Sequence, residues 1–154
     1  MVIESRYVVA GLLLLVLNSG QVVAADPRVV VLTQQACQFI ESENGLDRGY
    51  KSFSAEDCLT INRATSEQRL QQAKVLQLRP GKHLFRVTNE DVPYELGFWL
   101  RGHGVLGYAT LPSISGGGLT TGKTQDYLIE LKPGSYIYSC PLNPTPDYRL
   151  IVSE

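Results

Sequence analysis

Three sulfurs, Cys37, Cys58 and Cys140, carry most of the chemistry this sequence offers. Cys140 sits in YIYSCPLNPTP (136–146), at the mouth of a short strand and ahead of a proline-rich loop. A cysteine so placed can hold a metal if the loop brings further donors, form a disulfide, or pack as a small apolar group. An odd count leaves at least one thiol without an internal partner. Two pairings are open. A Cys37–Cys140 bond would join the first and penultimate strands. A Cys37–Cys58 bond would close about 20 residues and pin a polar segment, stabilising by roughly 3 kcal/mol on the chain-entropy account. The second pairing leaves Cys140 a lone thiol and removes Cys37 from any ligand set.

Two histidines accompany these sulfurs. His83 follows PGK at a strand start and is expected to face solvent or pack. His103 lies in a glycine-flanked turn, RGHGV, where an imidazole is exposed enough to serve as a late metal ligand. No serine stands in an elbow-like context beside a base, so no hydrolytic triad is expected and the chain reads as a non-enzyme. Residues 117–124, GGLTTGKT, match the phosphate-loop pattern, in which Lys123 would reach terminal phosphates and Thr124 would hold magnesium. That chemistry needs a helix whose amides face the phosphates. Here QDYLIELKPG alternates with period two and stops at a proline, so a strand is expected and no nucleotide partner.

The chain has 154 residues, 44% hydrophobic and 19% charged, with a formal net charge of −1. That length suits one domain. The balance gives no electrostatic basis for binding nucleic acid or an anionic membrane. The first 25 residues, MVIESRYVVAGLLLLVLNSGQVVAA, join Arg6, an apolar run from Tyr7 to Leu17, a helix-breaking NSG and small residues before Asp26. This reads as a signal peptide cleaved after about Ala25. The run is short for a membrane span, which needs about 20 residues. The expectation is a periplasmic domain of residues 26–154, in a compartment that permits disulfides.

Several elements must position these groups. RVVVLT (28–33) is a β-branched first strand, followed by ACQFI with Cys37. Residues 41–66 are polar and without sustained periodicity. SEQRLQQAKVL predicts a short helix near 66–74, so an insertion of about 41–74 follows the first strand. The rest reads as strands: KVLQLRPG, HLFRVTNED, YELGFWLRG, QDYLIELKPG, SYIYSC and YRLIVSE, with two Pro-Gly turns. Such spacing predicts an all-β antiparallel Greek-key sandwich.

The order LQLRPGKHLFRVTNEDVPYELGFWL … TQDYLIELKPGSYIYSCPLNPTPDYRLIV resembles the cupredoxin family over residues 28–40 and 75–152. It is most similar to the cupredoxin-like domain of EfeO-type iron-uptake proteins, where one cysteine follows the first strand and another precedes the last. Cys37 and Cys140 fall at those places. A blue-copper site needs two imidazoles, a thiolate and a weak axial ligand. At the matching positions stand Tyr94, Asn143 and, near the axial place, Tyr148, and the lone methionine is Met1. The resemblance therefore excludes a blue-copper electron carrier. It implies a set of thiolate and carboxylate instead: Cys140, Cys37 and Glu95, with Asp91, Asp147 and His103 as weaker candidates. The implied cofactor is a copper or iron ion, and the implied partners are membrane components of copper or iron transport. The competing expectation is a non-metal structural or protein-interaction module whose cysteines are oxidised.

Overall fold

Alternation along HLFRVTN and QDYLIEL sets His83, Phe85 and Val87, and Tyr127, Ile129 and Leu131, on one buried face. In the computed structural model, which describes residues 26–154, these runs are β4 (Gly81–Asn89) and β7 (Thr124–Leu131), paired antiparallel with Phe85 opposite Tyr127. The expected signal peptide, 1–25, lies outside the described residues. β1 (Arg28–Gln35) joins β4 in parallel, from Arg28 opposite His83 to Gln34 opposite Asn89. The two-residue β2 (Gln38–Phe39) completes a sheet ordered β2-β1-β4-β7. The second sheet is built from β3 (Leu76–Leu78), β5 (Leu96–Gly102), β6 (Ile114–Leu119), β8 (Gly134–Ser139) and β9 (Tyr148–Val152), in the order β3-β9-β8-β5-β6.

The expected β-sandwich with an insertion is therefore present. Its pairings are antiparallel except β1–β4 and β3–β9, which are parallel. Both exceptions have a topological cause. Parallel neighbours need a long crossover, and the insertion supplies one for β1–β4. GGLTTGKT forms the end of β6, a turn and the start of β7, so a strand follows Lys123 as the alternation predicts.

Between the sheets Phe98 stacks on Phe85 at 5.6 Å and meets the edge of Phe39 at 6.2 Å. Leu32, Leu96, Leu100 and Leu150 fill the remaining space. Each such side chain stabilises by about 1.5–3 kcal/mol on burial. The buried tyrosines keep their hydroxyls paired: Tyr136 donates to Lys132 O at 2.8 Å, and Tyr138 shares a 2.7 Å hydrogen bond with Ser42 Oγ.

The insertion departs furthest from expectation. The short helix predicted near 66–74 is an 18-residue helix, α1 (Ala55–Gln72). It starts early because Ser54 and Asp57 form a capping box, in which Asp57 Oδ2 accepts the Ser54 N–H at 3.0 Å. Its inward stripe, Cys58, Asn62, Thr65 and Arg69, is polar, and only Cys58 and Arg69 are buried. A second helix, α2 (Gly104–Thr110), buries none of its residues.

Candidate functional site at the cysteine pole

β8 delivers Cys140 to one end of the sandwich, and the loop after it folds back over the sulfur. Cys140 N–H donates to Thr145 Oγ1 at 3.1 Å. The Asn143 and Gly97 amides donate to Cys140 Sγ at 3.2 and 3.3 Å. Gln34 fixes Gly97 by donating from Nε2 to its carbonyl at 2.8 Å. Only glycine fits there, because a Cβ would stand 2.7 Å from Gly116 O. The thiol is 1% exposed. Burial pushes its pKa up, against the opposing pull of the Gly97, Asn143 and Leu142 amides.

The other two sulfurs are bonded to each other. Cys37–Cys58 is a disulfide, which decides between the two pairings and leaves Cys140 free. Cys37 takes a left-handed backbone, φ +64°, and its N–H donates to Asn143 Oδ1 at 2.8 Å. Asn143 is wholly buried, and its Nδ2 donates to Gln35 O at 2.8 Å. Its Oδ1 also lies 3.1 Å from Cys58 Sγ. A disulfide sulfur carries no hydrogen, so this is close packing and not a hydrogen bond. Tyr94 shares a 2.6 Å hydrogen bond with Ser52 Oγ and stands 3.9 Å from Cys58 Sγ. Burial raises the Tyr94 hydroxyl, with the Ser52 bond opposing. The two positions that the resemblance compares with imidazoles are thus tied to the insertion.

A third tie runs through Tyr148, whose hydroxyl donates to Glu43 Oε1 at 2.5 Å. Arg69 donates to the same carboxylate from Nη2 at 2.6 Å and Nε at 2.8 Å, and reaches Cys37 O at 2.8 Å. Arg48 pairs with the other Glu43 oxygen. Burial alone would raise Glu43, but hydrogen bonds from Arg69, Tyr148 and Arg48 outweigh it and hold the carboxyl below its ordinary value. Asn62 on α1 donates to Pro144 O. A disulfide, a buried ion pair and this bond therefore clamp α1 over the pole.

The predicted ligands do not converge. Cys37 comes close to Cys140 only through Asn143, and its sulfur is spent in the disulfide. Glu95 is exposed and turns to β6, accepting the Gly118 N–H at 2.8 Å. Asp91 is exposed on a cavity of about 150 Å³ beside Tyr50 and Pro93. Asp147 pairs with Arg101 at 2.7 Å. His103 stands just before α2 at the far end of β5, makes no side-chain capping bond, and shares an outer groove with Asp147. Among the described residues no group of three or more His, Cys, Asp or Glu could hold an ion. The oxidised state does not fit the copper or iron set, because Tyr94 and Asn143 fill the space beside Cys140. His83, expected to face solvent or pack, is wholly buried.

The network itself went unread in the sequence. Asn143 and Tyr94 were visible only as replacements for imidazoles, and the Arg69–Glu43 pair only as charges. The spacing Cys58, Asn62, Thr65, Arg69 was the one signal that could have found it.

No family model matches the chain, and no curated protein matches it. Among solved structures, auracyanin B is similar over 86% of this chain and 94% of its own, at 12% identity and a TM-score of 0.52. A multi-copper oxidase from Pediococcus acidilactici aligns with 88% of this chain and 28% of its own, at 11% identity and a TM-score of 0.39, which carries no argument. The first likeness shows a cupredoxin-like fold, and at that identity it shows the fold alone.

Proposed function

We propose that this chain is an exported binding module of cupredoxin-like fold, closed at its cysteine pole and working through a partner protein, not through a bound metal. One residue carries the reading. Asn143 donates its backbone N–H to Cys140 Sγ and its Nδ2 to Gln35 O, and its Oδ1 accepts the Cys37 N–H, so it fills the place an ion beside Cys140 would need. Export is supported by the disulfide, which persists in oxidising compartments, and by the signal-like first 25 residues. A partner surface is supported by Phe53, 81% exposed, and Leu142, 44% exposed, on the two segments that close the pole.

A second reading, metal handling, rests on a different observation. Cys140 Sγ already accepts two amide hydrogen bonds, as a thiolate would. Reduction of Cys37–Cys58 would return Cys37 as a donor for copper or iron, with a membrane transport component as partner. Metal analysis of the exported protein, loaded with copper or iron before and after reduction, separates the two. The first reading expects one titratable thiol per unfolded chain and no stoichiometric metal in either state. Stoichiometric metal that disappears in Cys140→Ser would overturn it in favour of the second.

A further inference from the structure

The short helix α2 is built inside out. Its sequence, GVLGYAT, sets a glycine against the protein and its apolar side chains in solvent: Val105 is 88% exposed, Leu106 81% and Tyr108 64%. The attachment is backbone on backbone. A Cβ on Gly102 would stand 2.0 Å from Gly107 O, so β5 and α2 touch where neither has a side chain. Single exposed apolar residues are ordinary. Three on one helix that buries nothing form a patch of the kind that marks an interaction site.

The place of α2 in the fold decides among partners. β1 starts opposite β4 at Arg28–His83, and β4 starts opposite the end of β7 at Gly81–Leu131. The turn after β7 then sets Gly134 against Leu111, just past α2. The chain therefore enters the domain at the α2 end, away from Cys140. Residues 1–25 join it there, and only eight residues, spanning at most about 28 Å, separate their apolar run Tyr7–Leu17 from Asp26. A bilayer that holds this leader lies within reach of α2. Charge favours the same end. Arg28, Arg79, Lys82 and Lys132 there offset Asp26, Glu130 and Glu154, whereas at the cysteine pole Asp57, Glu90, Asp91 and Glu95 outnumber Lys51 and Lys123. An anionic surface thus repels the cysteine pole more than this one. A second copy fits less well, because three side chains on a seven-residue helix fall short of the about 800 Å² per partner of a standard interface.

We infer that α2 is a membrane-contact tip. Val105 and Leu106 enter the acyl edge of a lipid bilayer, and the Tyr108 ring lies at headgroup level, where tyrosine is favoured. So small a contact is weak alone, and the tether makes it effective by keeping α2 at high local concentration beside the lipid. The contact turns the cysteine pole, with Phe53 and Leu142, away from the bilayer and toward a protein partner.

The test reconstitutes the full chain into phosphatidylcholine vesicles, with and without phosphatidylglycerol, and uses Tyr108→Trp as the probe. With brominated acyl chains the emission added at position 108 should be blue-shifted and quenched in both lipids, while that of Trp99, toward the other pole, is spared. Val105→Glu with Leu106→Glu changes two exposed side chains, so urea unfolding should match the parent while the quenched fraction falls by about tenfold or more, as loss of buried aliphatic side chains implies. A chain that fails to float with the vesicles, or floats with position 108 unquenched, would overturn the contact. Quenching that survives the double change, or that needs phosphatidylglycerol, would overturn the apolar tip. A lipid-free dimer abolished by the double change would give the surface to a second copy instead.

Discussion

The two ends of this sandwich are built on opposite plans. At the cysteine end the polar groups are densely paired, Gln34 Oε1 excepted: Asn143 uses three of its atoms, Arg69 reaches Glu43, Asn62 and Cys37 O, and a disulfide ties the insertion down. At the other end Arg28 and Arg79 have no acidic partner, and His83 Nε2 no hydrogen-bond partner, among the described residues. The same β frame supports both. The difference teaches that the fold does not dictate where a site lies, because a pole can be closed or opened by what is inserted beside it.

The comparison breaks most severely at Arg69. Arg69→Ala takes from Glu43 its one fully buried cationic partner, leaving Arg48 and the Tyr148 hydroxyl, and should cost about 3 kcal/mol in urea unfolding. Replacing Glu43 and Arg69 together by apolar residues should cost much less, since the charge left over is then that of Arg48, which reaches solvent. Next comes the covalent tie. Cys58→Ser should lower stability by about 3 kcal/mol, and hydrogen exchange should quicken along α1 while β4 and β7 stay protected.

Acid should open the closed pole through the same carboxylate. Glu43 has a lowered folded pKa, so its contribution is present above the unfolded value of about 4.3 and is lost as pH falls through the folded value. A urea-midpoint series from neutrality to pH 3 should fall steeply below about pH 4.3, and Glu43→Gln should be weaker at neutrality and flatter in acid. Cys140→Ser should be milder, about 1 kcal/mol, because a hydroxyl can accept the same two amides. The smallest effect belongs to the open end: Arg79→Ala should move stability by no more than about 0.5 kcal/mol, as for other exposed positions.

The sandwich was legible where period two bears on a core. HLFRVTN and QDYLIEL alternate because one face packs on Phe98, and the Pro-Gly pairs mark turns where Gly81 and Gly134 take positive φ. The helices were legible only in the last turns of α1, near 66–72, for a physical reason. α1 presents Cys58, Asn62, Thr65 and Arg69 to the protein, and α2 presents no buried residue, so neither writes an apolar stripe into the sequence. The Ser54–Asp57 capping box was readable and would have placed the start of α1. The side chains of the candidate metal set do not converge, because direction is not written in residue type. Glu95 stands one residue from Tyr94, yet the two side chains diverge to β6 and to Ser52. The partner of Cys37 was open in the sequence because separation along the chain does not rank closure by Cys58 over closure by Cys140.

The parallel alliance of β1 with β4 has a consequence for assembly order. β1 is the first strand of the described chain to be synthesised, and its registered neighbour appears only after the whole insertion has followed it. Until then Val29 to Leu32 have no strand beside them, and only β3, whose partner is β9, waits longer, so both sheets are slow to close.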